Sequence, residues 1–138
     1  MVLTVVGTLT LPVLAGHAVD CAIGPNEVNF VELAHTVLTN ASVRSTLIDN
    51  IVSTAAANGY EGVDIDFEYI FPSDRESYNE FLTLLKAKTE PAGLSLSTAI
   101  APKISAGQRG TLYEAHDYSF HGSIVDYLII MTYEWGDL

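Results

Sequence analysis

The chain has 138 residues, 49% of them hydrophobic and mixed with Gly, Pro and aromatics, which suffices for one core and excludes a disordered or fibrous protein. Seventeen acidic residues against six basic ones give a net charge of -11, which argues against a nucleic-acid backbone or an anionic membrane as the main partner and favours a neutral or cationic ligand. The single Cys21 cannot form an internal disulfide and says nothing strong about redox compartment.

The apolar start, Val2 to Ala15, has some look of a signal peptide, with small residues near Ala15 to Ala18. No Lys or Arg precedes it, and its β-branched content with Gly7 and Pro12 reads better as a strand over Val2 to Leu9 followed by a loop over Pro12 to Pro25. No run reaches the roughly 20 apolar residues of a membrane span. Phe30, Leu33, Ala34, Val37 and Leu38 have helical spacing, so a helix is predicted over Asn29 to Leu38. After Asn40-Ala41-Ser42, Ser42 is expected to cap a second helix whose stripe is Val43, Leu47, Ile48, Ile51, Val52 and Ala55, ending at Gly59. The same triplet is formally a glycosylation sequon, a pattern common by chance.

A strand is predicted over Glu61 to Glu68, with Val63, Ile65 and Phe67 on the face opposite its acids. Ser73-Asp-Arg-Glu76 reads as a capping box opening a helix with Tyr78, Phe81, Leu82, Leu84 and Leu85, which Pro91 and Gly93 stop. Leu94 to Ala101 alternates as a strand, a Gly- and Ser-containing loop runs to Gly110, a short helix starts near Asp117, and Val125 to Tyr133 is the most strand-like run. Four strands separated by helices indicate parallel βαβ units. An open doubly wound sheet would be complete at this length, whereas a (β/α)8 barrel needs about 250 residues. No Gly-rich phosphate loop follows any strand, which weakens the nucleotide-binding form of the open sheet.

In the predicted strand Glu61 to Glu68, Asp64, Asp66 and Glu68 point the same way, with neighbours about 6.5 Å apart along the chain. Carboxylates buried together must share protons, bind a cation or meet hydrogen-bond donors, so at least one of the three should titrate high. Glu68 sits where strand gives way to loop, the end of a parallel sheet where ligands bind, and a carboxylic acid kept protonated there suits a general acid. Two plainer readings stand beside this one: a solvated edge strand, and a magnesium or calcium site built from a row of oxygens. Hydrophobic strands on either side favour a central position over an edge. Trp135, Tyr69 and Phe71 can each be a sugar-stacking platform or an ordinary packing aromatic. Lys103 faces either ligand or solvent, and His116 and His121 near Asp117 are either a metal pair or structural.

Glu61-Gly-Val-Asp-Ile-Asp-Phe-Glu68 resembles the D-G-x-D-x-D-x-E signature of glycoside hydrolase family 18, the chitinase family. Val125 to Gly136 resembles that family's later strand motif M-x-Y-D. Ala101-Pro-Lys103, Leu112-Tyr-Glu-Ala-His-Asp-Tyr118 and Met131-Thr-Tyr-Glu-Trp-Gly136 are similar to the bacterial branch of spore-cortex-lytic N-acetylglucosaminidases, often joined to LysM cell-wall-binding modules. The match runs from about Phe30 to Gly136. It implies an α/β fold, a (β/α)8 TIM barrel, of which residues 1–138 form a partial catalytic domain with about strands three to six and two unpaired parallel edges.

The resemblance also implies roles. Glu68 matches the general acid that later activates water, Asp66 the residue that orients the substrate's acetamido group, Asp64 the supporting acid behind it, and Tyr133 the donor to the acetamido oxygen. Glu134 stands where chitinases carry Asp, which shifts substrate preference away from chitin. With Met131, Trp135 and Tyr69 it makes up the implied substrate-binding set. No metal and no cofactor is implied, and structural roles are favoured for His116 and His121. Glu61 replaces the first Asp of the signature at a structural position. The S-x-G-G stretch of chitinases is missing from Val2 to Thr10, which leaves the hydrogen-bond partner of Asp64 open. The implied function is hydrolysis of β-1,4 bonds at N-acetylglucosamine in peptidoglycan, above all spore cortex, with chitin oligosaccharides second. The implied setting is the spore, the cell wall or the secreted fraction, with a LysM module expected in the parent protein. The rival readings are a non-catalytic lectin-like barrel, whose members typically lack the acid found here at Glu68, and a metal-dependent enzyme using the acidic strand.

Overall fold

In the computed structural model, which describes residues 1–6 and 30–132, strands and helices alternate along the chain. They are β1 (Val2–Val6), α1 (Phe30–Thr39), α2 (Ala41–Ala57), β2 (Gly62–Asp66), a 3₁₀ turn (Pro72–Asp74), α3 (Arg75–Thr89), β3 (Ser95–Ile100), α4 (Tyr118–Ile124) and β4 (Tyr127–Ile130). The strands form one parallel sheet in the order β1-β2-β3-β4, so β2 is internal, with Val63 opposite Leu3 and Asp64 opposite Ser97. A doubly wound sheet reverses its strand order at a switch point and carries helices on both faces. Here the order does not reverse, and α1, α2 and α3 pack on one face, where Val37, Leu38, Ile48, Ile51, Tyr78, Phe81 and Leu85 close over Val63, Ile65, Phe67 and Leu96.

Alternation in β2 and β3 divides the sheet. Odd-numbered Val63, Ile65 and Phe67 enter the helix-facing core, with Phe67 stacked on Tyr78 and Phe81 at centroid distances of 5.8 and 5.4 Å. Tyr78 is fully buried, and Thr98 Oγ1 donates to the Ile65 carbonyl at 3.0 Å, which leaves the phenol to donate to Thr98 Oγ1 at 3.0 Å. The opposite face carries the acids. Gly62 opens β2 opposite Ser95 of β3: a Cβ there would lie 2.0 Å from Ser95 Oγ and 2.9 Å from the Ser95 carbonyl oxygen.

Helix starts differ from the predicted ones. Asn40, not Ser42, caps α2, its extended backbone letting Oδ1 accept from the amides of Ser42 and Val43 at 3.1 and 3.2 Å. The side chain of the formal sequon is therefore engaged in the cap. The Ser73–Glu76 capping box does not form, because Pro72 starts a 3₁₀ turn that moves the start of α3 to Arg75. Ser73 donates instead to Asp74 Oδ1 at 3.3 Å, and His35 Nδ1 meets Asp74 Oδ2 at 2.8 Å, so the entry to α3 is tied to α1.

Within the described part of the most strand-like run, the strand is Tyr127–Ile130. Val125 ends α4, and Asp126 binds β3 and α3, accepting from the Leu96 amide at 2.7 Å and pairing with Lys86 at 2.7 Å. The amide bond to Leu96 and then the Lys86 ammonium hold the Asp126 carboxyl below its ordinary range. The predicted continuation of β1 to Leu9, the loop over Pro12 to Pro25, Cys21 and residues 133–138 lie outside the described residues. No helix among the described residues is long and apolar enough to cross a membrane.

Candidate active site

The site is built on the end of β2. Asp64 is 5% exposed, and Ser97, its register partner on β3, donates to its Oδ1 at 2.6 Å. That answers the open question of the hydrogen-bond partner of Asp64: it comes from the following strand. Asp66, one step nearer the rim, is partly buried, and its Oδ1 has no hydrogen-bond partner among the described residues. Burial first, and the Asp64 charge second, raise its carboxyl above the ordinary value of 3.8. The expectation that one acid of the row titrates high is therefore met at Asp66. An internal strand with a buried Asp64 is not a solvated edge.

Glu68 lies two residues beyond the end of β2 and is partly buried. Tyr69, directly after it, has φ +54 in the left-handed region that non-glycine residues seldom occupy, and is 51% exposed. The chain thus turns sharply at the residue after the candidate acid, leaving the Tyr69 ring accessible beside it. Phe71 packs instead on His35, edge to face at 5.8 Å. Met131 is buried with Ala99 and Ala101 on the acid-bearing side of the sheet, backed by Leu112 and Tyr113. Tyr133, Glu134 and Trp135 lie outside the described residues.

Behind the rim, the β3–α4 segment forms a polar layer. The Ala101 amide donates to His116 Nδ1 at 2.9 Å, and the Phe67 carbonyl lies 2.9 Å from Nε2, so both nitrogens of this buried ring are engaged within the protein. Burial is the main cause that lowers the pKa of His116, with the Lys103 charge acting the same way against the Phe67 carbonyl. His121 is buried edge-on against Tyr78 at 4.9 Å, with neither ring nitrogen hydrogen-bonded among the described residues. Burial and the neighbouring His116 push it down to about 3. Lys103 is held within the protein: it donates to the His116 carbonyl and lies 5.0 Å above the Tyr118 ring. Arg75 at the start of α3 pairs with Asp117 at 2.6 Å, and Asp117 caps α4 by accepting from the Phe120 amide at 3.1 Å. Against the burial that would raise it, those bonds hold the Asp117 carboxyl below its ordinary range. Among the described residues no three His, Cys, Asp or Glu side chains converge as a metal site requires.

A cleft of about 210 Å³ opens between the β2–α3 and β3–α4 loops, lined by Pro72, Arg75, Ala106, Gly107, Gln108 and Glu114. Its loops follow the C-terminal ends of β2 and β3, the end at which Glu68 lies. Sequence reasoning put Asp64, Asp66 and Glu68 on one strand, whereas β2 ends at Asp66 and Glu68 follows it, and it missed Ser97 and the latching geometry of His116. The small residues alternating within Leu94 to Ala101 were the available signal for Ser97, and they do not say which faces Asp64.

Residues 22–137 match the model of the family described as Glycosyl hydrolases family 18. The chain is 48% identical over 105 residues to the Cortical fragment-lytic enzyme of Bacillus subtilis (strain 168), covering 76% of this chain and 24% of that protein. Among solved structures it is similar to the spore cortex-lytic enzyme SleL of Bacillus megaterium QM B1551, with a TM-score of 0.74, 40% identity, and coverage of 78% of this chain and 25% of that one. It is also similar to a chitinase from Chromobacterium violaceum ATCC 12472, with a TM-score of 0.72, 26% identity, and coverage of 81% and 35%. The chain thus spans about a quarter of the length of the curated cortex-lytic relatives it matches.

Proposed function

This chain belongs to glycosyl hydrolases family 18, and we propose that it carries the acid-bearing strand of a glycosidase that cleaves β-1,4 bonds at N-acetylglucosamine in peptidoglycan. Spore cortex is the substrate that the 48% identity to a cortical fragment-lytic enzyme supports. The observation that carries the reading is the graded acid row at the end of β2: Asp64 buried and bound to Ser97, Asp66 raised with its buried Oδ1 lacking a partner among the described residues, and Glu68 just past the strand beside a residue at positive φ.

In this reading Glu68 protonates the glycosidic oxygen while the substrate's own acetamido carbonyl attacks the anomeric carbon, giving an oxazolinium and releasing the leaving sugar. Glu68, now a carboxylate, takes a proton from the water that opens the oxazolinium, so configuration is retained without an enzyme nucleophile. Asp66 accepts from the acetamido N–H and stabilises the charge that develops on it. Its raised carboxyl is consistent with a proton shared with Asp64. Tyr133 donates to the acetamido oxygen, and Tyr69, Met131, Glu134 and Trp135 contact the sugar. We read residues 1–138 as part of a (β/α)8 barrel, about strands three to six. The unreversed strand order and, among the described residues, the packing of the helices on one face support this, as does coverage of only 24% of the relative's length. No cofactor is required, and the partner is the polysaccharide itself.

The test is an assay of the full-length protein and its Glu68→Gln form on cortex peptidoglycan and on chitin oligomers. Turnover by the variant is expected to fall by about 10²- to 10⁴-fold, and cortex to be preferred over chitin. Equal turnover by the two proteins refutes the assigned acid, and binding without turnover by either moves the reading to a sugar-binding barrel.

A further inference from the structure

We infer that His116 is a positioning residue for Glu68, its imidazole joining the ends of β2 and β3 where their hydrogen-bond ladder has run out and so fixing the peptide from which the acid projects. This rests on the reading of Glu68 as the general acid. The registered pairing of β2 with β3 runs from Gly62 opposite Ser95 to Ile65 opposite Thr98, and the strands end at Asp66 and Ile100. The next residues, Phe67 and Ala101, are both buried. A buried carbonyl and a buried amide at that point need partners, since water cannot reach them. One ring supplies both: the Ala101 amide donates to Nδ1 at 2.9 Å, and the Phe67 carbonyl accepts from Nε2 at 2.9 Å.

The chemistry of the two contacts fixes the protonation state. A backbone amide only donates, so Nδ1 must offer its lone pair. A carbonyl only accepts, so Nε2 must carry the hydrogen. The neutral Nε2–H tautomer alone makes both bonds, and burial, which disfavours the imidazolium, acts in the same direction.

The ring is itself held. His116 is 1% exposed, Lys103 donates to its carbonyl, and the Tyr78 and His121 rings each lie 6.3 Å from it. Glu68 is therefore bracketed by an anchored Phe67 carbonyl on one side and by Tyr69 at φ +54 on the other. His116 acts through the Phe67 peptide, and its loss frees the backbone on which the acid is aimed. Misplacing a reacting group by about 1 Å costs on the order of 10²-fold in rate.

The test compares His116→Leu and His116→Gln in the full-length protein, with Glu68→Gln as the control. Leu keeps bulk and removes both bonds; Gln offers an amide oxygen to Ala101 and an amide nitrogen to Phe67 with nearly the spacing of the ring nitrogens. His116→Leu is expected to lower kcat by about 10- to 100-fold with KM within about twofold, and His116→Gln to regain most of the loss. An unchanged kcat in His116→Leu, or a Gln variant as impaired as the Leu one, overturns the inference. Where His116→Leu does not fold, the ring nitrogen-15 spectrum of the unmutated full-length protein at neutral pH decides. The Nε2–H tautomer supports the latch, and an Nδ1–H or doubly protonated ring overturns it. If Glu68→Gln is inactive while His116→Leu is unimpaired, the positioning role alone falls; full turnover by Glu68→Gln removes the reading beneath it as well.

Discussion

Asp66 lies at the end of β2 with one carboxylate oxygen lacking a hydrogen bond among the described residues and with Asp64 one step behind it. Its folded pKa is raised by burial and by Asp64, so above the ordinary value of 3.8 the folded protein holds a proton that the unfolded chain has released. Stability at this site therefore declines as pH rises through that window. Asp66→Asn is expected to raise the thermal midpoint at pH 7 and to lower turnover, the stability gain shrinking to nothing as pH falls toward the ordinary carboxylate value. An unchanged midpoint at pH 7 would count against the strained carboxylate. His121 works in the opposite sense. Its pKa is depressed from 6.5 to about 3, so below 6.5 the unfolded chain takes up a proton that the folded one refuses, and stability is lost as pH falls through that interval. His121→Phe is expected to flatten the dependence of the urea midpoint on pH between those values, and a slope equal to the parent's would refute the assignment. The three acids were legible because they follow one another at strand spacing. Ser97 was not, because it lies 33 residues from the Asp64 it binds.

At the scale of elements, two local competitions were decided by neighbours. Asn40→Ala is expected to destabilise the protein by about 1 kcal/mol in urea unfolding, the usual value of an N-cap, while Ser42→Ala at an exposed position inside the helix changes little. Equal effects of the two would contradict the observed cap. The Glu61–Gly62 pair resembles a family signature, yet a spatial constraint requires its glycine: the Ser95 carbonyl oxygen lies where a Cβ would need room. Gly62→Ala is expected to destabilise by about 1–3 kcal/mol, as overpacking does, read as a shift in urea midpoint without a change in slope. Both helix stripes of α1 and α2 were readable from their periodicity. The start of α3 was not, because Pro72 and the bond from His35 to Asp74 override the local Ser73–Glu76 pattern.

Across the whole molecule, β4 stands out among the described residues for its exposed apolar side chains. Tyr127, Ile129 and Ile130 are 45%, 42% and 49% exposed, and on the described residues β4 pairs only with β3. Tyr127 and Ile129 share the acid-bearing side, while Ile130 faces the helices' side, so both flanks of this edge are apolar. Such an edge is a template for another strand. Light scattering of residues 1–138 by themselves is expected to show association, and a well-behaved monomer with full enzymatic activity would refute the partial-barrel reading.

The order of strands and helices, the helix-facing stripe of β2 and the acid row behind it follow from the sequence by itself, because each depends on spacings of two to four residues along one segment. Tertiary structure decided what those spacings cannot carry. Register chose Ser97 as the partner of Asp64, and the path of the chain after β3 brought the His116 ring to Phe67, 49 residues away. Contacts between distant segments depend on how elements pack, and packing is a property of the assembled sheet and helices together, so no local pattern in this chain announces them.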